Sequence, residues 1–205
     1  VKNIKTLNKK INSVFGKLLI GLEYVFKRRG PMTMGASQLC GFAKSDPGRD
    51  TPNLQFHIQP ISTDKLGGAN LHDFHAFTPT VANIRPTSRG EISISSSDTK
   101  VNPKIKMNYL STDEDRKVAA DGIKLIRKIV METNEFKKYE PEEFRPGSHL
   151  NDKEEIVKAC SHYAQTIFHP VGTCKMGNDE LAVVSDKLKV HGINKLRVID
   201  ASIMP

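Results

Sequence analysis

The feature that most limits how this chain folds is a change in apolar period along its length. Over residues 1–29, Ile4, Leu7, Ile11, Val14, Leu18, Leu22 and Val25 recur at helical spacing, with Phe15, Leu19 and Phe26 beside them and lysines between. From Asn53 to Ser97 the period drops to two. Residues 53–61, 74–84 and 91–95 alternate apolar with polar side chains, the pattern of half-buried antiparallel strands. A further short strand over 104–109 is expected in the same sheet. The helical period then returns. Ser111-Thr112-Asp113-Glu114 reads as a capping box in which the Ser111 hydroxyl accepts from the Glu114 N–H. The helix behind it runs to about Met131 on Val118, Ile123, Ile126, Ile129 and Val130. A second helix opens on the acids after Asn151 and reaches about Tyr163. The pattern predicts an α+β fold: an antiparallel sheet from residues 53–110, covered by helices on one face.

The joins fit that reading. Gly30-Pro31 ends the first helical stretch, residues 45–50 carry turn chemistry, and Gly67-Gly68 and residues 85–90 fall in loops. Residues 139–150, rich in Pro, Gly and Glu, read as surface loop. Residues 195–200 have the look of a buried strand ending at an acid.

Charge and cysteine content exclude some functions. The net charge is +8, with a cationic cluster before residue 30, but there is no Trp, only four Tyr and no recognition motif. A solvated basic surface explains this better than nucleic-acid binding. Cys40, Cys160 and Cys174 are an odd count at spacings that fit neither a disulfide framework nor a zinc site, which suits a reducing, cytoplasmic compartment. The run Leu18 to Val25 is interrupted by Gly21 and Glu23 and is too short to cross a bilayer. A basic amphipathic helix of this kind lies on an anionic membrane surface or packs on a neighbouring domain, the second being the commoner outcome. Val at position 1 and the lack of a secretory h-region suggest a fragment.

Chemistry concentrates near the end. Phe168-His169-Pro170-Val171-Gly172-Thr173-Cys174-Lys175-Met176-Gly177 sets one imidazole in a turn-rich, uncharged setting, with glycines that admit close backbone approach. That is a setting for a catalytic base, although a His-Pro pair by itself is more often packed or capping. His57, His72 and His75 lack the further ligands a metal site needs, and no metal is expected. Cys174 reads as an inert thiol.

The ordered segments from His169 to Gly177, Val190-His191-Gly192, and Leu196-Arg197-Val198-Ile199-Asp200-Ala201-Ser202-Ile203-Met204-Pro205 resemble the C-terminal signature of the glucose-methanol-choline (GMC) oxidoreductases. The bacterial choline-dehydrogenase-like branch of FAD-dependent alcohol dehydrogenases is the nearest in pattern. Residues 85–90 and Asn108-Tyr109-Leu110-Ser111 resemble the family as well. The resemblance implies a flavoenzyme that oxidises a primary alcohol, choline-like or other, to an aldehyde, with His169 as general base and FAD as hydride acceptor. It implies FAD contact at Asp200 and Ala201, and backbone of Val171 and Gly172 near the isoalloxazine ring. It divides the chain into a helical segment (1–30), a substrate-binding domain (31–165) and a return segment (166–205) to a Rossmann-like FAD domain whose Gly-x-Gly-x-x-Gly turn is missing here. The family's second catalytic His or Asn lies beyond Pro205. Phe168 stands where Tyr is frequent, and Ser185-Asp186 replaces Asp-Pro. The alternative is a non-catalytic binding domain that keeps the sheet. The alcohol, the electron acceptor and the oligomeric state stay open.

Overall fold

A computed structural model describes residues 1–35, 37–64 and 70–205, so Gly67-Gly68 lie outside the described residues. The chain divides into two compact units, residues 1–87 with 112–165, and residues 88–111 with 166–205.

The first unit contains a three-stranded antiparallel sheet in the order β1 (Leu39–Ala43), β2 (Leu54–Gln59), β3 (Thr78–Asn83). β2 and β3 fall where the period-two pattern predicts them. β1 does not announce itself in the sequence, because its short run Leu-Cys-Gly-Phe-Ala leaves no residue fully buried. The predicted turn at residues 45–50 joins it to β2, with the Gly48 N–H donating to Asp46 Oδ1 at 2.8 Å. The register aligns Gly41, Phe56 and Val81 across the sheet, and likewise Ala43, Leu54 and Asn83. One face therefore carries Leu54, Phe56, Val81 and Ala43 against Val118, Leu125 and Ile126 of a long helix, α3 (Asp113–Arg127). α5 (Lys153–Tyr163) packs on α3, forming a second helical layer rather than a second cover for the strands.

Thr112 is the N-cap of α3, accepting from the Asp115 N–H at 3.3 Å. This corrects the expected Ser111 cap, whose own N–H donates to Ser88 Oγ at 3.0 Å. Beyond Arg127 the helix widens into a π-helical turn over Lys128–Glu132, followed by the short α4 (Asn134–Lys137). At the start of the chain, α1 (Leu7–Asn12) and α2 (Val14–Lys27) split the predicted helical stretch at Ser13, whose side chain caps α2. Asn8 of α1 is wholly buried: its amide donates to the carbonyls of Ser62 and His72, both at 2.9 Å, and accepts from the Ser62 N–H at 2.8 Å.

In the second unit, β4 (Glu91–Ser93) and β5 (Lys104–Lys106) pair only with each other. They do not extend the larger sheet, contrary to the sequence expectation. Both are three residues long and exposed throughout, so they offer no apolar face for a sheet core. The rest of this unit is a set of loops fastened around Val184, which is 0% exposed and bridges both Met176 and Val190. Residues 195–200 are not a buried strand. They are largely exposed, tied by one bridge from Arg197 to Lys189 and by the Val198 N–H on Leu188 O.

Candidate functional site

The two terminal motifs meet through backbone hydrogen bonds. The Cys174 N–H donates to Ser202 O at 2.9 Å and the Met176 N–H to Ile203 O at 2.8 Å. Gly172, at φ +88°, begins this contact. A Cβ built there would meet Met204 O at 3.4 Å, so the backbone conformation, not space, is what favours glycine. On its other side the His169 run is held by the Gly177 N–H on Val184 O and the Val183 N–H on Lys175 O, at 3.0 and 2.9 Å. His191 helps from a distance in sequence: its Nε2–H donates to Gly177 O at 3.0 Å and its N–H to Val183 O. The Lys175–Asp179 ion pair at 2.6 Å closes the intervening turn.

His169 projects from this fastened loop. Its residue is exposed, and its side chain has no hydrogen-bond partner among the described residues. The preceding Phe168 adopts φ +62° and donates its N–H to Thr166 Oγ1, a strained approach for a bulky residue that fixes where the imidazole begins. Val171 beside it is 51% exposed. Asp200 caps the 3-10 turn Ala201–Ile203, accepting from the Ser202 N–H at 2.8 Å. The Ser202 side chain, then its N–H, hold the Asp200 carboxyl below the usual carboxylate range. Ala201 is the first residue of that turn and is exposed. Val171, Gly172, Ala201 and Asp200 thus lie on the two loops that the Cys174–Ser202 and Met176–Ile203 bonds join. No hydrogen bond joins His169 to Asp200 among the described residues.

The histidines of the first unit have separate uses. His72 Nδ1 lies 2.7 Å from Ser62 Oγ and Nε2 3.0 Å from Asp64 Oδ1, with the ring stacked on Phe74 at 5.0 Å. Arg145 adds an ion pair to Asp64 at 2.6 Å. The hydrogen bond from His72 is the main influence holding the Asp64 carboxyl below the usual carboxylate range. His75 Nδ1 accepts from the Thr6 N–H. His57 Nε2, on β2, is buried with no hydrogen-bond partner among the described residues. No three metal-ligating side chains gather among the described residues.

Sequence reasoning missed two polar centres of this unit. Asp115 is 4% exposed and accepts from the Thr87 N–H at 2.9 Å and from Asn83 Nδ2 at 3.2 Å. Arg127 forms a two-pronged pair with Glu143, at 2.8 and 2.9 Å, and donates to the carbonyls of Gly147 and Leu150. A charged residue inside an otherwise apolar helical stripe was the available signal for both. An apolar cleft of about 220 Å³, lined by Phe56, Ile58, Phe77, Ile126, Val130 and Phe136 among others, opens beside the π-helical turn. A polar one of about 270 Å³ opens at Arg49, Asp50 and Arg85. Neither includes His169 or Asp200.

The family described as GMC oxidoreductase matches residues 86–205. The chain is 42% identical over 188 residues to the alcohol dehydrogenase [acceptor] of Pseudomonas putida, covering 91% of this chain and 34% of that protein. It is 40% identical over 186 residues to the oxygen-dependent choline dehydrogenase of Proteus mirabilis (strain HI4320), covering 91% and 33%. It thus spans about a third of the length of these curated relatives. Among solved structures, a formate oxidase of Aspergillus oryzae RIB40, determined in a study of its FAD modification, superposes on the whole of this chain and 40% of its own with TM-score 0.84 at 26% identity. A pyridoxine 4-oxidase from Mesorbium loti superposes on 83% of this chain and 33% of its own, with TM-score 0.71 at 27% identity.

Proposed function

The chain belongs to the GMC oxidoreductase family, and from that membership we propose that the protein carrying it oxidises a primary alcohol to an aldehyde with FAD as cofactor. Residues 31–165 hold the substrate, and residues 166–205 return to a Rossmann-like FAD domain. The observation that carries this reading is His169: exposed, without a hydrogen-bond partner among the described residues, and projecting from a loop anchored to the Asp200 run by two backbone hydrogen bonds.

The residues present fit one wall of a flavin site. Val171 and Ile199, 51% and 71% exposed, offer apolar contact for a flat ring, and Gly172 presents backbone with no Cβ in the way. Asp200, Ala201, Val171 and Gly172 would hold the cofactor there. When bound, FAD supplies the acceptor for the hydride that leaves the carbinol carbon. His169 does the protein's part of the chemistry: its imidazole takes the hydroxyl proton and orients the alcohol, as a group suited to accept a proton near neutral pH. The Cys174–Ser202 and Met176–Ile203 bonds keep that imidazole from drifting, since a misplaced base loses rate steeply.

The test is anaerobic bleaching of the flavin in the full-length protein by a panel of primary alcohols that includes choline. His169→Ala should slow bleaching by about 100- to 10,000-fold while the oxidised flavin spectrum is retained. Bleaching at the unaltered rate in that variant would remove His169 from the mechanism. Failure of every alcohol to bleach wild-type flavin would remove the proposed activity.

A further inference from the structure

α2 turns its larger face outward. Only Gly16 and Ile20 of its fourteen residues are buried, whereas Val14, Phe15 and Phe26 are 85%, 68% and 78% exposed. Leu18, Leu22 and Val25 complete the same stripe, which covers about 120° of the helix at 100° per residue. Charge accumulates around it. Residues 1–29 contain eight cations against a single acid, Glu23, and so hold seven of the chain's eight net positive charges. Glu23 already faces Arg29 at 3.8 Å, and Lys10, Lys17 and Lys27 have no acidic partner among the described residues.

We propose that this face of α2 docks on an anionic lipid bilayer. A nucleic acid would use the cations and leave the apolar stripe in water, and an apolar groove on another protein would leave unpaired lysines at its rim. An anionic bilayer surface satisfies both at once: the acyl boundary takes the stripe and the headgroups take the lysines. The geometry selects attachment in the plane of the surface. Fourteen residues rise about 21 Å, short of the roughly 30 Å hydrocarbon thickness, and no helix among the described residues is long and apolar enough to cross a membrane. Phe15 and Phe26 lie near opposite ends of α2, so they seat the helix along its length. This inference is independent of the reaction at His169.

The experiment is flotation of the full-length protein with vesicles of phosphatidylcholine, with and without about 30% phosphatidylglycerol. Wild type should float with the anionic vesicles and bind neutral ones at least about tenfold more weakly, and about 1 M salt should weaken anionic binding. Phe15→Ser combined with Phe26→Ser should cut binding by about tenfold or more. The triple change Lys27→Glu, Arg28→Glu, Arg29→Glu lies on exposed positions, and should do the same while erasing the salt dependence. Flavin absorbance and bleaching by a soluble alcohol serve as fold controls and should not change. Wild type that stays unbound with both vesicles overturns the proposal, as does equal binding by wild type and both variants. Slow amide exchange of α2 before vesicles are added, without vesicle binding, would mean the rest of the protein covers this face. Dissociation of a dimer by the serine pair, again without vesicle binding, would assign the face to a second copy.

Discussion

Asp115 illustrates how much of this fold hangs on single polar residues. It sits in the first turn of α3, where the helix dipole favours an acid, yet it is turned inward and used as an acceptor for Thr87 N–H, Thr87 Oγ1 and Asn83 Nδ2. Those bonds fix the end of β3 and the chain just after it to the start of α3. Removing the buried carboxylate leaves three part-buried donors without this acceptor, so their lost solvation adds to the loss of the bonds themselves. Asp115→Ala should therefore destabilise the protein by about 3 kcal/mol, and Asp115→Asn, which keeps one carbonyl oxygen for the Thr87 N–H, by roughly a third of that. Urea unfolding at unchanged m-value measures both. An alanine variant within about 0.5 kcal/mol of wild type would show that water replaces the carboxylate.

At the scale of elements, α3 packs closely over β3 at a glycine. A Cβ on Gly122 would lie 3.1 and 3.2 Å from the two Val81 methyls and 3.5 Å from Leu54 Cδ2. Alanine gains about 1 kcal/mol of helix propensity and loses a comparable amount to that crowding, so Gly122→Ala should be near neutral. Gly122→Leu should cost about 3 kcal/mol by forcing α3 off the sheet. Adding Val81→Ala should restore part of the Leu variant's thermal midpoint. No recovery would place the strain elsewhere. The sequence made this pairing legible only in part. Alternation marked β2 and β3, and helical spacing with an acidic start marked α3 and α5. β1 was invisible because an edge strand with no fully buried residue needs no strict alternation. β4 and β5 were visible as strands, but their pairing was not, since three exposed residues carry no information about a partner. At the candidate site the residue types and their order pointed to His169 and Asp200. The contact between their loops is made by the backbone of Cys174, Met176, Ser202 and Ile203, which no side-chain pattern encodes.

Across the whole molecule, acid should undo both units together. Asp46, Asp64 and Asp113 in the first unit and Asp179 and Asp200 in the second all have carboxyls below their ordinary range. The leading causes are local: the Gly48 N–H for Asp46, His72 for Asp64, Arg116 for Asp113, Lys175 for Asp179 and the Ser202 side chain for Asp200. A depressed folded-state value means that the unfolded chain takes up protons first as pH falls. The stability is then fully present above the unfolded carboxylate value of about 3.9 and is lost as pH drops through the lower folded values. The excess of cations compounds this, because each acid neutralised raises a net charge that is already +8. The thermal midpoint should accordingly vary little from about pH 7 to pH 5 and fall progressively below about pH 4. Asp179→Asn, which removes the charge facing Lys175, should lower the midpoint at neutral pH and make its acid dependence shallower. A decline that instead begins between about pH 7 and 6 would count against carboxylates as the acid trigger.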